Sequence, residues 1–171
     1  MTTIEKAQEK DNQLIAEIGR ISFIEAHGTS ASETDINAYV AEKYNPDAVL
    51  ADLRNPDNLY RIIYHNGIPA GYSKIIFDST HPNLPSGKFT KLERLYLLKE
   101  FYSLKLGYEL FNYNLELAKH NNQQGIWLFV WKGNHRAISF YQKTGFEIIG
   151  SYDFKITDNH SNPNHQMLLK F

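Results

Sequence analysis

The stretch from Leu92 to Phe111 has the first pattern in the chain that could bind a ligand. Its first residues form an apolar run typical of a strand, and helical spacing begins after a short turn, near Lys105. Such a turn points several backbone N–H groups at one spot, and the helix dipole adds partial positive charge there, so that a pyrophosphate could bind. An ordinary strand-to-helix connection has the same pattern, and this stretch alone favours that simpler interpretation.

A second stretch, Ile126 to Phe146, is more specific. It begins with a run that is apolar at every position, as in a central strand covered on both faces, and continues into a helix closed by Gly145. The helix segment reads N-x-x-A-x-x-F-Y-x-K-x-G-F, which closely resembles motif B of the GNAT superfamily of N-acetyltransferases. The matching residues are Asn134, Ala137, Phe140, Tyr141, Lys143, Gly145 and Phe146.

The resemblance implies an acetyl-CoA-dependent N-acetyltransferase. It also implies the GNAT fold, a mixed α/β (α+β) fold whose central, mostly antiparallel sheet has about seven strands with helices on both faces. We expect a single domain over residues 1–171 and acetyl-CoA as the cofactor. Because the chain has no cysteine to carry the acetyl group, we expect direct transfer in a ternary complex.

The resemblance also implies which residues contact the cofactor. In GNAT enzymes the strand that here ends at Leu95, Tyr96 and Leu97 offers backbone groups to the pantetheine arm and the thioester carbonyl. Asn134 is expected to contact the cofactor, and Tyr141 is expected to stand beside its sulfur. The turn expected to wrap the pyrophosphate consists of Tyr102, Ser103, Leu104, Lys105, Leu106, Gly107 and Tyr108.

The turn departs from the family pattern at one important position. The usual sequence is (Gln/Arg)-x-x-Gly-x-(Gly/Ala), whereas this chain has Tyr102, Lys105 and Gly107 at the three defined positions. The missing glycine normally lets the backbone approach the phosphates without a Cβ in the way. Lys105 could supply a charge contact instead, although a cation in the first helical turn opposes the helix dipole.

Two residues are expected to carry the proton transfers. The hydroxyl of Tyr141 would protonate the departing thiolate, since a phenol (about 10) and a thiol (about 8.5) have neighbouring reference pKa values. A base must also take a proton from the acceptor amine, which is mostly protonated at neutral pH. In related polyamine acetyltransferases a glutamate proposed for this role aligns with Glu93. The alternative for Glu93 is an ion pair with a basic neighbour such as Arg61 or Lys74.

Across its whole length the chain is most similar to the bacterial PaiA-like spermidine/spermine N-acetyltransferases. The similarity lies in the LER-LY-L strand, in the W-x-x-V-W strand, and in the helical region YVAEKYNPDAVLADLRNPDN. A polyamine such as spermidine or spermine is therefore the expected acceptor. The residues expected to border the acceptor groove are Phe23, His27, Thr29 and Tyr39.

Other functions stay open at this point. The acceptor could be an amino acid, a peptide N-terminus or an aminoglycoside, and the chain could be a non-catalytic acyl-CoA-binding regulatory module. Acidic residues in the acceptor groove would favour a polyamine, because they attract a cationic substrate. A carboxylate-binding arginine there would favour an amino acid.

Apolar spacing and turn residues predict the elements that must position these groups. The dipeptide Asn66–Gly67 predicts a type I′ hairpin turn, and Gly28 is expected to cap the first helix. The predicted strands are Thr2–Ala7, Leu59–His65, Ile68–Phe77, Phe89–Leu98, Ile126–Trp131, Phe146–Thr157 and His165–Phe171, with a polar loop at Asp158–Asn164. The predicted helices are Asp11–Ala26, a helix opening at Ser30 or Ser32 and ending before Asn45, Asp47–Leu53, Lys105–His120 and Asn134–Lys143.

Composition limits the remaining classes of function. The net charge is −1 and there is no long block of like charge, which does not suggest nucleic-acid binding. No apolar run approaches the ~20 residues that span a bilayer, and the N-terminal residues lack a signal-peptide core, so we expect a cytoplasmic protein without a membrane partner. The histidine spacing matches no metal motif. The expected partners are a small-molecule amine and, in a homodimer, a second copy of the chain.

Overall fold

The computed structural model describes residues 1–171 as seven strands and five α-helices, with short 3-10 helices at Glu9–Asp11 and Lys99–Leu104. The strands are β1 (Thr2–Lys6), β2 (Leu59–His65), β3 (Ile68–Ile76), β4 (Thr90–Leu97), β5 (Gly125–Trp131), β6 (Glu147–Thr157) and β7 (His160–Lys170). The helices are α1 (Asn12–His27), α2 (Glu33–Lys43), α3 (Pro46–Arg54), α4 (Leu106–His120) and α5 (His135–Lys143).

The strands form one mixed sheet in the order β1-β2-β3-β4-β5-β7-β6. Every neighbouring pair is antiparallel except β4 and β5, which are parallel. Helices α1 and α3 pack on one face of the sheet, where Ile18 and Val49 belong to the same buried cluster as Ile62. Helix α4 packs on the opposite face, where Leu110 belongs to the same buried cluster as Ile63. The predicted fold class is confirmed.

The two parallel strands at the centre of the sheet diverge along their length. They pair only at Thr90 with Ile126 and at Lys91 with Trp127. Beyond these positions β4 pairs only with β3, and β5 pairs only with β7. Because backbone groups are obligatory hydrogen-bonding groups, those that face the gap between β4 and β5 are available to a ligand.

Several local predictions are confirmed and others are wrong. The hairpin turn has positive φ at both Asn66 (50°) and Gly67 (78°), as a type I′ turn requires. Gly28 does follow α1, but its φ of −57° means that no left-handed cap ends this helix. In α4, Asn114 is buried and donates to the Ser73 hydroxyl at 2.8 Å, whereas the neighbouring Tyr113 is exposed.

The largest error in the predicted boundaries concerns β7. This strand begins at His160, so that the predicted polar loop is mostly strand and only a tight turn separates β6 from β7. The polar run is compatible with a strand because the buried amide of Asn162 is hydrogen-bonded. Asn162, which is buried, donates to the hydroxyl of Ser30 at 2.7 Å.

None of the five helices is long and apolar enough to cross a membrane.

Candidate active site

A cavity of about 700 Å³ opens where β4 and β5 separate, and α1, α2 and α5 complete its walls. A cavity of this size is typical of sites that bind cofactors and small substrates. The predicted acceptor-groove residues that line it are Phe23, His27, Thr29 and Tyr39. The predicted cofactor and catalytic residues that line it are Glu93, Leu95, Tyr96, Leu97, Tyr102, Gly107, Asn134 and Tyr141. The predicted residues that lie outside its lining are Ser103, Leu104, Lys105, Leu106 and Tyr108.

The backbone of β4 presents hydrogen-bonding groups to the gap. The N–H of Leu98 donates to the carbonyl of Ala70 on the β3 side at 2.9 Å. Because the direction of these groups alternates along an antiparallel pair, Tyr96 also directs its backbone groups toward β3. Leu95 and Leu97 therefore direct theirs toward the gap, where the sequence predicts contacts with a thioester.

The start of α4 offers further donors. The amides of Leu106 and Gly107 precede the first intrahelical bonds, and neither donates to another backbone group. Gly107 also keeps space open, since a Cβ there would lie 3.1 Å from Cδ1 of Leu97. The side chain of Leu106 is buried in the core, so its amide is the only part of this residue that we expect to reach a ligand. These free amides at a helix N-terminus fit the pyrophosphate of a coenzyme A group.

Lys105 has the left-handed backbone conformation, with φ of 59°. This geometry is the physical reason that the family pattern has glycine at this position, because a Cβ costs roughly 1–2 kcal/mol there. The side chain of Lys105 does not line the cavity.

We expect Lys105→Gly to raise the free energy of unfolding by about 1 kcal/mol and to bind acetyl-CoA more tightly than Lys105→Ala does. Both variants lose the charge, but only glycine removes the Cβ and the strain. Urea unfolding and isothermal titration with acetyl-CoA measure the two effects. Equal behaviour of the two variants would show that the backbone conformation is not what limits this turn.

Tyr102 and Arg136 meet at the end of the cavity next to α4. The guanidinium carbon of Arg136 lies 3.1 Å from the centroid of the Tyr102 ring, and both side chains line the cavity. Asn134 caps α5, where its side chain accepts from the N–H of Ala137 at 3.2 Å. Sequence reasoning missed Arg136 because it stands at an undefined position of the motif.

Tyr141 lies on α5, where its ring packs against Phe140 and Phe146. Burial raises the pKa of Tyr141 above its ordinary value of 10.0, so that the hydroxyl stays protonated throughout the physiological range. The side chain lines the cavity, and its hydroxyl forms no hydrogen bond within the protein. The phenol is thus a neutral donor without an internal acceptor.

Glu93 is held in a network of ion pairs. A bulge in β4 leaves Glu93 without a partner on β3, because Arg94 pairs with Lys74 and Leu92 with Ile75. One carboxylate oxygen of Glu93 lies 2.8 Å from the Nζ of Lys74. That lysine is almost fully buried.

The same lysine holds a second carboxylate, since its Nζ lies 2.8 Å from Oδ2 of Asp52. The Nζ of Lys91 lies 3.5 Å from the other oxygen of Glu93. Burial alone would raise the pKa of Glu93, but the charge of Lys74, followed by that of Lys91 and Arg94, holds it below the ordinary value of 4.5. The arrangement favours an ion-pair role for Glu93 over a base, with Lys74 rather than Arg61 as the partner.

Arg94 is the residue that sequence reasoning missed most clearly. Its guanidinium carbon lies 4.9 Å from the centroid of the Tyr44 ring, and its Nη1 donates to the hydroxyl of Tyr60 at 3.1 Å. The hydroxyls of Tyr44 and Tyr96 are 2.8 Å apart beside it. A strand position between Glu93 and an apolar residue gives no signal of this cluster, because the tyrosines come from distant parts of the chain.

The wall formed by α1 and α2 is mainly aromatic, and Glu25 is its one charged residue. The ring of Phe23 stacks on His27 and on Tyr39, with centroids 4.4 and 4.7 Å away. Burial lowers the pKa of His27 to about 4, so that the imidazole is neutral at physiological pH. The aromatic rings and the neutral imidazole of this wall therefore lie opposite the charged groups of β4.

Comparison with known proteins agrees with this geometry. The model described as "Acetyltransferase (GNAT) family" matches residues 22–146. An uncharacterized N-acetyltransferase of Lactobacillus delbrueckii subsp. lactis is 26% identical over 156 residues, which is 91% of this chain and 90% of that protein. A protein named spermidine N(1)-acetyltransferase, from Thermoplasma acidophilum, is 28% identical over 154 residues, which is 85% of this chain and 88% of that protein.

Among solved structures, the PaiA N-acetyltransferase from Thermoplasma acidophilum in complex with coenzyme A has a TM-score of 0.79. The two chains are 24% identical, and the match covers 100% of this chain and 99% of the other. The fold seen here is thus shared over the full length of both proteins.

Proposed function

Because the chain belongs to the GNAT family of acetyltransferases, we propose that it transfers an acetyl group to a primary amine by direct attack in a ternary complex. The observation that carries the proposal is the gap between β4 and β5, which is lined by free backbone groups on one side and by Tyr141 on the other. Both reactants would meet in the one cavity that contains these groups. Direct transfer needs no acylated side chain, and the chain has no cysteine.

Acetyl-CoA is the acetyl donor of this family, and when bound it supplies a thioester whose sulfur departs as a thiolate. In this proposal the backbone N–H groups of Leu95 and Leu97 donate to the thioester carbonyl, as in an oxyanion hole. The amides of Leu106 and Gly107 bind the pyrophosphate. Tyr141 donates its proton to the thiolate.

The acceptor amine loses its proton to solvent in this proposal. Glu93 is ionised but weakly basic, because its ion pairs lower its pKa. Its role is to form ion pairs with Lys74 and Lys91 and so to fix the positions of these two side chains. The rate would then rise with pH as the acceptor amine itself deprotonates.

The acceptor itself is proposed only as a primary amine. The name of the Thermoplasma relative supports a polyamine such as spermidine. The charges of the cavity weigh against a polycation, since cations outnumber carboxylates among the lining residues. Apart from histidines, the acidic and basic residues of the lining are Glu25, Lys91, Glu93, Arg94 and Arg136.

Two experiments test the proposed function. Acetyl-CoA should raise the melting temperature, by an amount that grows with the logarithm of its concentration above the dissociation constant. Thiol release should then be detected with at least one member of a panel of amino acids, peptides, polyamines and aminoglycosides. Stabilisation without turnover on the whole panel would instead favour a non-catalytic acyl-CoA-binding module.

A further inference from the structure

Arg94 is a partly buried cation that has no direct ion pair. Arg94 forms no ion pair with a carboxylate, although both nearby carboxylates do form ion pairs. Asp52 and Glu93 are both bound to Lys74, and Glu93 also contacts Lys91. The cluster therefore contains three cations and only two carboxylates, and a guanidinium stays charged at any physiological pH.

The tyrosines around Arg94 satisfy only part of its hydrogen-bonding capacity. A guanidinium has five N–H donors in a planar fork that matches a carboxylate in bidentate geometry. In the cluster it donates to the hydroxyl of Tyr60 and lies over the ring of Tyr44. The Tyr60 hydroxyl in turn donates to Asp52, so a phenol lies between Arg94 and that carboxylate. Neutral phenols do not neutralise a charge, and a charge that is partly removed from water without a direct counterion costs free energy. An anionic ligand group would remove this cost.

Arg94 lies where an acceptor would bind rather than where the cofactor would. It lines the cavity together with Phe23, Tyr39 and Tyr44, which form the aromatic wall from α1 and α2. The groups that fit a pyrophosphate lie at the other end, at the start of α4. The second cavity arginine, Arg136, stacks on Tyr102 at that end.

A second observation identifies a contact for the amine side of the acceptor. Asn164 lines the same cavity and is buried to all but 6% of its surface, and its Oδ1 has no hydrogen-bond partner. A buried acceptor without a partner costs about 1–3 kcal/mol unless a ligand donates to it. Because this oxygen has almost no exposed surface, the amide group must turn toward the cavity before an N–H of an acceptor molecule can donate to it. His27 is neutral and would not repel an ammonium group.

From these observations we infer that the acceptor carries a carboxylate besides its primary amine, as an amino acid or a short peptide does. Arg94 binds the carboxylate in the cavity, and Asn164 accepts a hydrogen bond from an N–H of the acceptor. This inference rests on the proposed acetyl transfer. It excludes spermidine and spermine as preferred acceptors, because both present only cations to Arg94.

The test is a comparison of acceptors that differ in one charge. Each amino acid of an α- and an ω-amino series, and each of several dipeptides, is paired with its carboxamide, and kcat/KM is measured by thiol release with saturating acetyl-CoA. Amidation lowers the pKa of a nearby amine and so increases the fraction of that amine that is unprotonated and reactive. A preference for the acid therefore reflects recognition rather than reactivity.

We expect the best acid to exceed its amide by about 10-fold or more in kcat/KM, and to exceed spermidine. Arg94→Gln should lower the ratio of kcat/KM for the acid to kcat/KM for its amide by about 10-fold or more, whereas Arg94→Lys should keep part of the preference. Arg136→Gln is the matched control, because it removes a cavity arginine at the cofactor end. It should leave the ratio of acid to amide unaltered.

Three results would overturn the inference. They are equal rates for acids and amides in the unmodified protein, a preference for polyamines, and an acid preference that survives in a folded Arg94→Gln variant. If Arg94→Gln fails to fold, Arg94→Lys and the substrate pairs on the unmodified protein still decide the matter. Turnover of polyamines alone would contradict the carboxylate-bearing acceptor but would agree with the proposed acetyl transfer. No turnover with any amine would contradict both.

Discussion

Replacing Tyr141 with phenylalanine should lower kcat by about 100-fold or more while the affinity for acetyl-CoA stays nearly unchanged. The variant keeps the ring that packs against Phe140 and Phe146, so that the fold and the cavity wall are preserved. Only the hydroxyl is lost, and with it the proton for the departing thiolate. Steady-state thiol release and isothermal titration with acetyl-CoA measure the two quantities.

Tyr113→Phe is the matched control for this experiment, because Tyr113 is an exposed tyrosine outside the cavity lining. It should retain full turnover. Since burial raises the pKa of Tyr141, the unmodified enzyme should also show no loss of activity from ionisation of this tyrosine in mildly alkaline solution. Unaltered turnover in Tyr141→Phe would remove the assignment of this residue as the acid.

Replacing Lys74 with methionine should lower the free energy of unfolding at pH 7 by about 3 kcal/mol. The ammonium group is almost fully buried and holds the carboxylates of Asp52 and Glu93, both at 2.8 Å. Methionine retains most of the volume but leaves both carboxylates without their main partner. We expect the lower end of the range that is usual for breaking a buried ion pair, because the side chain of Asp52 is 30% exposed and solvent screens its charge.

The pH dependence of this loss has a defined sign. For both carboxylates burial opposes ionisation, but Lys74 leads the groups that hold their pKa values below the ordinary 3.8 and 4.5. Their stabilising contribution is therefore present above these values and is lost as the pH falls through the lower pKa values of the folded state. In Lys74→Met no lysine offsets the cost of burying the two ionised carboxylates. Protonating them at lower pH therefore removes part of that cost.

The difference in unfolding free energy between the two proteins should consequently shrink between pH 7 and pH 4. Urea unfolding at a series of pH values measures it. Lys119→Met is the control, because Lys119 forms an exposed pair with Glu116 and should cost well under 1 kcal/mol. A loss in Lys74→Met as small as in this control would show that the network does not stabilise the fold.

Local sequence signals were enough to predict most of the fold. The positive φ of Asn66 and Gly67 follows from a dipeptide that strongly prefers the type I′ turn. The cap of α5 follows from Asn134, which accepts from the amide three residues later. Each of these features depends on residues that are close in the chain.

The parts of the site that sequence reasoning missed depend on contacts between distant segments. The lysine that holds Glu93 lies on β3, and Asp52 comes from α3. The rings and hydroxyls around Arg94 likewise come from several elements. The start of β7 was misplaced for a related reason, since the polar residue Asn162 is satisfied by Ser30, which lies far away in the sequence.

A crystal structure with coenzyme A bound would test the cofactor site. We expect the pantetheine arm in the gap between β4 and β5, with the sulfur within hydrogen-bonding reach of the Tyr141 hydroxyl and the pyrophosphate at the amides of Leu106 and Gly107. Coenzyme A bound elsewhere, or a gap that stays empty, would contradict the proposed site.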